Sequence, residues 1–198
     1  MTLQQAVAFF LFALVAAVTP GPSNVMLTAT GAIAGMVRGL PCLAGVSAGM
    51  GLLIFAVALG LGRVVLAFPV ALVALNWLGA AFLLWLAWRI ASSGAAGGEA
   101  KGEPVGFVRA TLFQWVNPKS WLVSVSAVGT YLHADADAGL LQPLAFALVF
   151  IAASLPSGAV WLAFGASMHR LLKSARAARI FNIAMGAALA ASVVMILW

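Results

Sequence analysis

The side chains able to do chemistry inside the long apolar runs of this sequence gather at two places. One is Thr19-Pro20-Gly21-Pro22-Ser23-Asn24; the other is Gln114 with Asn117-Pro118-Lys119. Lys119 is the one cation at the centre of an apolar run. A lysine there costs roughly 2.5–3.5 kcal/mol on insertion scales, so it faces a bundle interior or a wet cavity. Its ammonium can hold a carboxylate as a point charge, release and rebind protons, or be tied to carbonyls freed by Pro20 or Pro118. Thr19, Ser23, Asn24, Gln114 and Asn117 are neutral groups suited to an ammonium and a carboxylate, and equally to capping broken helix ends. Ser23 and Asn24 open the second half of the first run, where helix N-terminal amides favour an anion. No Asp or Glu falls within an apolar run. Proton coupling, where present, therefore uses Lys119, a substrate group, water or an outer residue.

These residues must be positioned by helices that are broken. A continuous helix over Leu3 to Ala34 would be about 48 Å long at 1.5 Å per residue, against a hydrocarbon core of about 30 Å. Pro20 and Pro22 each remove a backbone donor, and the residues before them are pushed towards extended geometry. A break at membrane depth is tolerated only where protein or a wet cavity satisfies the freed groups. Pro156-Ser157-Gly158 marks a third such place, read as a kink or packing feature ahead of a ligand site.

Six apolar runs are expected as spans: Leu3 to Ala34, Pro41 to Leu61, Val70 to Trp88, Val105 to Tyr131, Leu140 to Ser167 and Ile180 to Trp198. Each is long enough to cross a bilayer as a helix, and the alternation of a barrel strand is absent. The 198 residues are 65% hydrophobic and 7% charged, with mean hydropathy +1.14, where a soluble domain carries roughly a quarter charged residues. The composition reads as an all-α integral membrane protein. The first run lacks a preceding Lys or Arg and outlasts a signal's hydrophobic region, so it is taken as the first membrane segment.

The net charge of +6 falls in connections, which is a topology signal and not a nucleic-acid footprint. Arg38 follows run one; Arg89, Lys101 and Arg109 lie around the joint after run three, with Glu99 and Glu103; Arg170, Lys173, Arg176 and Arg179 follow run five beside His169. The opposite side holds Arg63, and a joint with His133, Asp135 and Asp137. By the positive-inside rule both termini face outside. Trp77, Trp88 and Trp198 stand near run ends as interfacial anchors do, whereas Trp115 and Trp121 flank the centre of run four.

The middle joint divides the chain into repeat 1 (1–95) and repeat 2 (105–198), each of three spans. An odd number of spans per half makes the second enter from the opposite side, the arithmetic of inverted-topology repeats. Asn117-Pro118-Lys119 near the centre of run four matches Thr19 to Pro22 near the centre of run one. Paired interruptions at corresponding places point to a transporter's binding site. Gly31, Gly35 and Gly39, and Gly45 and Gly49, recur at four-residue spacing and read as close helix packing.

Other chemistries fare poorly. Leu155-Pro156-Ser157-Gly158 lacks the leading glycine of an intramembrane serine nucleophile, and His133 and His169 lie in or beside connections. No metal-ligand cluster or cofactor motif appears. A single cysteine, Cys42, allows no intrachain disulfide and reads as a packing residue. The sequence is read as no enzyme, with a passive channel or a non-transporting membrane subunit as alternatives to a transporter.

The Thr-Pro-Gly-Pro-Ser-Asn run followed about a hundred residues later by Asn117-Pro118-Lys119, with Trp77 to Arg89 as a third segment, resembles the LysE/RhtB family of amino-acid exporters. The resemblance covers nearly the whole chain. It implies a multi-pass exporter of the bacterial inner membrane, driven by a proton or ion gradient and acting on amino acids or close derivatives. Members often carry lysine in place of Asn76 and tyrosine in place of Phe82, so a substrate is not borrowed from any one member. The missing membrane carboxylate favours a small neutral amino acid such as homoserine, threonine, leucine or a cysteine-related compound. Substrate-binding residues are expected among Thr19, Pro20, Gly21, Pro22, Ser23, Asn24, Gln114, Asn117, Pro118 and Lys119, without metal or cofactor. The partners are the amino acid, a coupling proton or ion, and lipid; self-association into a homo-oligomer stays open. A topology reporter fused after Trp198 is expected to read as external, and a cytoplasmic signal would overturn the orientation.

Overall fold

A computed structural model describes residues 2–62, 67, 69–92, 104–132, 139–171 and 175–197. Arg63, Glu99, Lys101, Glu103, His133, Asp135, Asp137, Lys173 and Trp198 lie outside the described residues, as do the side chains of Asn76, Phe82, Arg89, His169 and Arg170. The described residues form seven α-helices: α1 Leu3–Val18, α2 Pro22–Ala56, α3 Pro69–Ser92, α4 Phe107–Val116, α5 Pro118–Tyr131, α6 Leu141–Leu171 and α7 Ala175–Leu197.

Local chemistry fixes where these helices begin and end. Thr2 and Gln5 form a reciprocal capping box at the start of α1, satisfying two orphan amides at once. The helix stops at Thr19, extended as a residue before proline must be. Pro22 then sits at the first position of α2, where its missing N–H is no loss. The second break repeats the device. Asn117 is extended, closes α4, caps α5 by accepting the Lys119 amide at 3.1 Å, and is followed by Pro118 at the first helical position.

The connection expected around Arg38 is sharper than the apolar runs imply. α2 continues from Pro22 to Ala56 and bends at Gly35, whose φ of 76° lies in the left-handed region that glycine tolerates. Gly35 therefore makes a kink, and a Cβ there would meet no other element within 4 Å, unlike one on Gly31 or Gly39. A π-helical turn over Val57–Leu61 follows, with Gly60 at φ 115°. Pro156 does not interrupt α6, which runs unbroken through it.

α2 packs most extensively along α6, α3 along α7, α2 also against α4, and α1 against α6. A first core joins Leu27, Leu43, Leu83, Leu162 and Leu189. A second holds Phe9 against Phe146, ring centroids 4.6 Å apart, with Ile54 and Phe150 beside them. At the α2–α6 crossing no side chain intervenes: a Cβ on Gly31 would meet the Leu162 carbonyl, and one on Gly165 the Thr28 carbonyl. The Thr28 hydroxyl reaches the Asn24 carbonyl at 2.9 Å and the Trp161 carbonyl at 3.3 Å.

Polarity runs opposite to that of a water-soluble domain. Every helix exposes large apolar side chains, from Leu3 and Val15 on α1 to Ile180 on α7. Asn24, Thr28, Gln114, Asn117, Ser120 and Ser124 are buried. Polar groups turned inward and an apolar exterior fit a lipid surrounding. Among the described residues, two helical stretches, Pro22–Leu61 and Leu141–Met168, meet the length and hydropathy of a membrane span. Gly165→Leu is expected to lower the detergent-solubilised protein's stability by about 1–3 kcal/mol or more, as overpacking does. Gly129→Ala, facing open space, should hold or gain stability in the same thermal melt.

Candidate functional site between the two broken helices

A helix end leaves its last carbonyls without intrahelical partners, and at the end of α1 other elements supply them. The Ala17 carbonyl accepts the Asn24 side-chain amide at 3.0 Å, and the Val18 carbonyl accepts the Trp161 indole N–H of α6 at 3.2 Å. The Thr19 carbonyl accepts Asn24 Nδ2 at 2.9 Å and Lys119 Nζ at 2.6 Å. Lys119 Nζ also donates to the Pro20 carbonyl at 3.2 Å. The α1 terminus is thus held by side chains of α2, α5 and α6. Carbonyls at a helix C-terminus carry partial negative charge and favour a cation, and the lysine ammonium supplies it. Gly21 makes room: a Cβ there would stand 2.8 Å from Lys119 Cδ and 3.0 Å from Nζ.

Gln114 joins the two breaks. Its Oε1 accepts the Ser23 and Ser120 hydroxyls, both at 2.9 Å, while its Nε2 donates to the Ala110 carbonyl at 3.2 Å. The Ser23 oxygen in turn accepts Asn117 Nδ2 at 3.2 Å. Gln114 is completely buried and Asn117 nearly so. In a low-dielectric interior such a network is strong because every lost bond leaves an unsatisfied group. The backbone carbonyl of Asn117 is already engaged by the Ser120 and Trp121 amides. Trp121 sends its indole N–H to the Trp115 carbonyl at 2.8 Å, so these two tryptophans brace the second break, and neither lines the cavity.

A cavity of about 50 Å³ opens between the breaks. A single water takes roughly 10–15 Å³ of such space, so the cavity has room for about three to five water-sized groups. Ser23, Asn24, Gln114, Asn117, Lys119 and Ser120 form its polar wall. Ala16, Ala17, Leu27, Val46, Met50, Val123 and Phe150 form the apolar wall, completed by Gly21, Ser154 and Gly158. Six of the ten residues expected from sequence therefore face this space: Gly21, Ser23, Asn24, Gln114, Asn117 and Lys119. Thr19 and Pro20 contribute carbonyls to Lys119, while Pro22 and Pro118 begin helices, Pro118 seated where a Cβ on Gly79 would fall.

Ser120, Ser154 and the apolar wall were not singled out by sequence. Ser120 directly follows Lys119 and could have been found as a hydroxyl in the first turn after the second break. Ser154 carries no local signal; its hydroxyl bonds the Ile151 carbonyl at 3.1 Å. All four acidic residues of the chain lie outside the described residues. Among those described, the Lys119 charge is met by carbonyl dipoles and by no carboxylate.

The chain is similar to known proteins. A family model described as LysE type translocator matches residues 14–196. A cysteine/O-acetylserine efflux protein of Klebsiella pneumoniae subsp. pneumoniae is 40% identical over 126 residues, 63% of this chain and 64% of that protein. Proteins of the same description from Salmonella typhimurium and Escherichia coli are 36% and 32% identical over the same shares. These matches span somewhat less than two thirds of the relatives' length. No solved structure matches the chain.

Replacing Gln114 by Leu removes the acceptor shared by the Ser23 and Ser120 hydroxyls, and an unmade bond in a protein interior costs about 1–3 kcal/mol. Gln114→Leu is expected to lower thermal stability by that order and Gln114→Glu by less. A melt unchanged by Gln114→Leu would remove the residue from the network.

Proposed function

The chain belongs to the LysE type translocator family, and we propose that it is a secondary exporter of small neutral amino acids or close derivatives, acting by alternating access across the bacterial inner membrane. One observation carries this reading: a lysine whose side chain lines a small cavity has its ammonium on the helix-end carbonyls of Thr19 and Pro20 beside that cavity. A zwitterion needs both signs of partner within a few ångströms. A second positive charge on the substrate would find no carboxylate among the described residues, which favours a solute without net charge. The relatives' names mention cysteine and O-acetylserine, both small zwitterions without net charge.

The expected architecture is six spans in two inverted repeats, 1–95 and 105–198, with both termini outside. Two sets of contacts support it. α1 packs on α6 as α4 packs on α2, while α2 pairs with α6 and α3 with α7, the exchange that a pseudo-two-fold axis produces. Each break also pairs a proline at the first position of its second helix with an indole N–H on a carbonyl ending its first. Rocking of the halves about the site would expose it to each side in turn, coupled to a proton or ion gradient.

Purified protein in vesicles is expected to move a small neutral amino acid uphill without another subunit, and an uncoupler should abolish this. Transport that only equalises concentrations would favour a passive channel, and none at all a non-transporting subunit. Lys119→Ala that reaches the membrane should export at least tenfold more slowly; export at the original rate would remove Lys119 from the site.

A further inference from the structure

The carbonyls that a substrate ammonium requires are already occupied by an ammonium of the protein itself. Lys119 Nζ lies 2.6 Å from the Thr19 carbonyl oxygen and 3.2 Å from that of Pro20, beside a cavity that Lys119 and Gly21 both line. A primary alkylammonium has the same three donors and the same charge as this side chain. From this geometry we infer that the Thr19–Pro20 carbonyl pair is the cradle for the substrate's ammonium, and that Lys119 is a tethered occupant which the substrate displaces. The inference rests on the exporter reading and deepens it.

Three features support an exchangeable occupant over a permanent clamp. Lys119 is only half-buried, unlike Gln114, Asn117 and Ser120 around it. Asn24 and Trp161 already engage the Ala17, Val18 and Thr19 carbonyls, so the end of α1 keeps partners when the lysine leaves. The displaced charge has no carboxylate to meet among the described residues, but a zwitterion brings one.

The exchange is then selective by construction. A simple amine can take the cradle only by leaving the lysine charge uncompensated, whereas an amino acid supplies an ammonium for the carbonyls and a carboxylate for Lys119. The site discriminates against amines that lack an acid group without any clash aimed at them. It also links binding to structure. Lys119 ties the end of α1 to the start of α5, across the two proposed repeats, and the incoming ammonium unties it.

The test is methylammonium binding to purified protein, followed by displacement and by thermal shift, in the wild type and in Lys119→Met. A site free a tenth of the time binds about tenfold more weakly than a vacant one. Lys119→Met should therefore bind methylammonium at least tenfold more tightly than wild type, and gain more thermal stability from it. Tetramethylammonium, without an N–H, should do neither. If Lys119→Met is not recovered folded, Lys119→Gln, which keeps a neutral donor, is expected to show a smaller gain of the same sign. Equal or weaker methylammonium binding in the variant, or an equal gain with tetramethylammonium, would overturn the cradle. The exporter reading stands or falls separately, on wild-type amino-acid transport in vesicles, because methylammonium binding requires no transport.

Discussion

A carbonyl at the end of a helix has nowhere to go inside a membrane except to another part of the protein. The end of α1 meets this constraint with Asn24 from α2, Trp161 from α6 and Lys119 from α5, and the packing of those helices follows from it. Were α1 and the first arm of α2 one straight helix, these carbonyls would be spent within it, and nothing would call α5 and α6 to that point. The second break makes smaller demands, because Asn117 accepts the amides after it and Trp121 reaches back to Trp115. The first break therefore organises the bundle, and the second meets it through Gln114.

Much of this was legible in the sequence, for a physical reason. Polar residues and prolines are conspicuous in apolar runs, and each leaves an obligation that structure must discharge. Thr19 to Asn24 and Asn117 to Lys119 declared themselves as breaks, and the ends of α3, α6 and α7 fall near the ends of their apolar runs. What stayed hidden was partnership. Nothing local says that Ser23 and Ser120 share one oxygen of Gln114, or that Lys119 reaches carbonyls a hundred residues away. Gly35 read as a packing residue because its spacing matched Gly31 and Gly39, but spacing does not report φ, and at 76° the residue bends α2. Pro156 read as a break because proline removes a donor, but α6 carries it without interruption. Ser154 was invisible because a serine on a helix of small and apolar residues resembles packing.

The buried hydroxyls also divide by role. Ser23 and Ser120 are fully engaged, and Thr28 bridges two helices, while Ser47, Ser124 and Ser157 are buried with no hydrogen-bond partner. Ser124 stands one helical turn beyond Ser120, and Ser157 lies beside Gly158 of the cavity wall. The interior around the cavity thus holds hydrogen-bonding capacity beyond what the network between the breaks consumes. Such capacity is costly in a dry core and more natural next to a space that polar solutes enter.

The crossing of α2 and α6 at Gly31 and Gly165 bears on how the bundle can move. Interlocked side chains resist rotation of one helix over another, because each ridge must climb out of its groove. At Gly31 and Gly165 backbone lies on backbone, and the Thr28 hydroxyl on the Trp161 carbonyl resists separation there, but to either side the Leu162 side chain packs over Gly39 and those of Leu27 and Leu43 over Gly158. The two longest helices are therefore held as a pair, pinned at the crossing and interlocked beyond it. The same Trp161 holds the end of α1, so the crossing of the two longest helices and the first break are fastened through one residue.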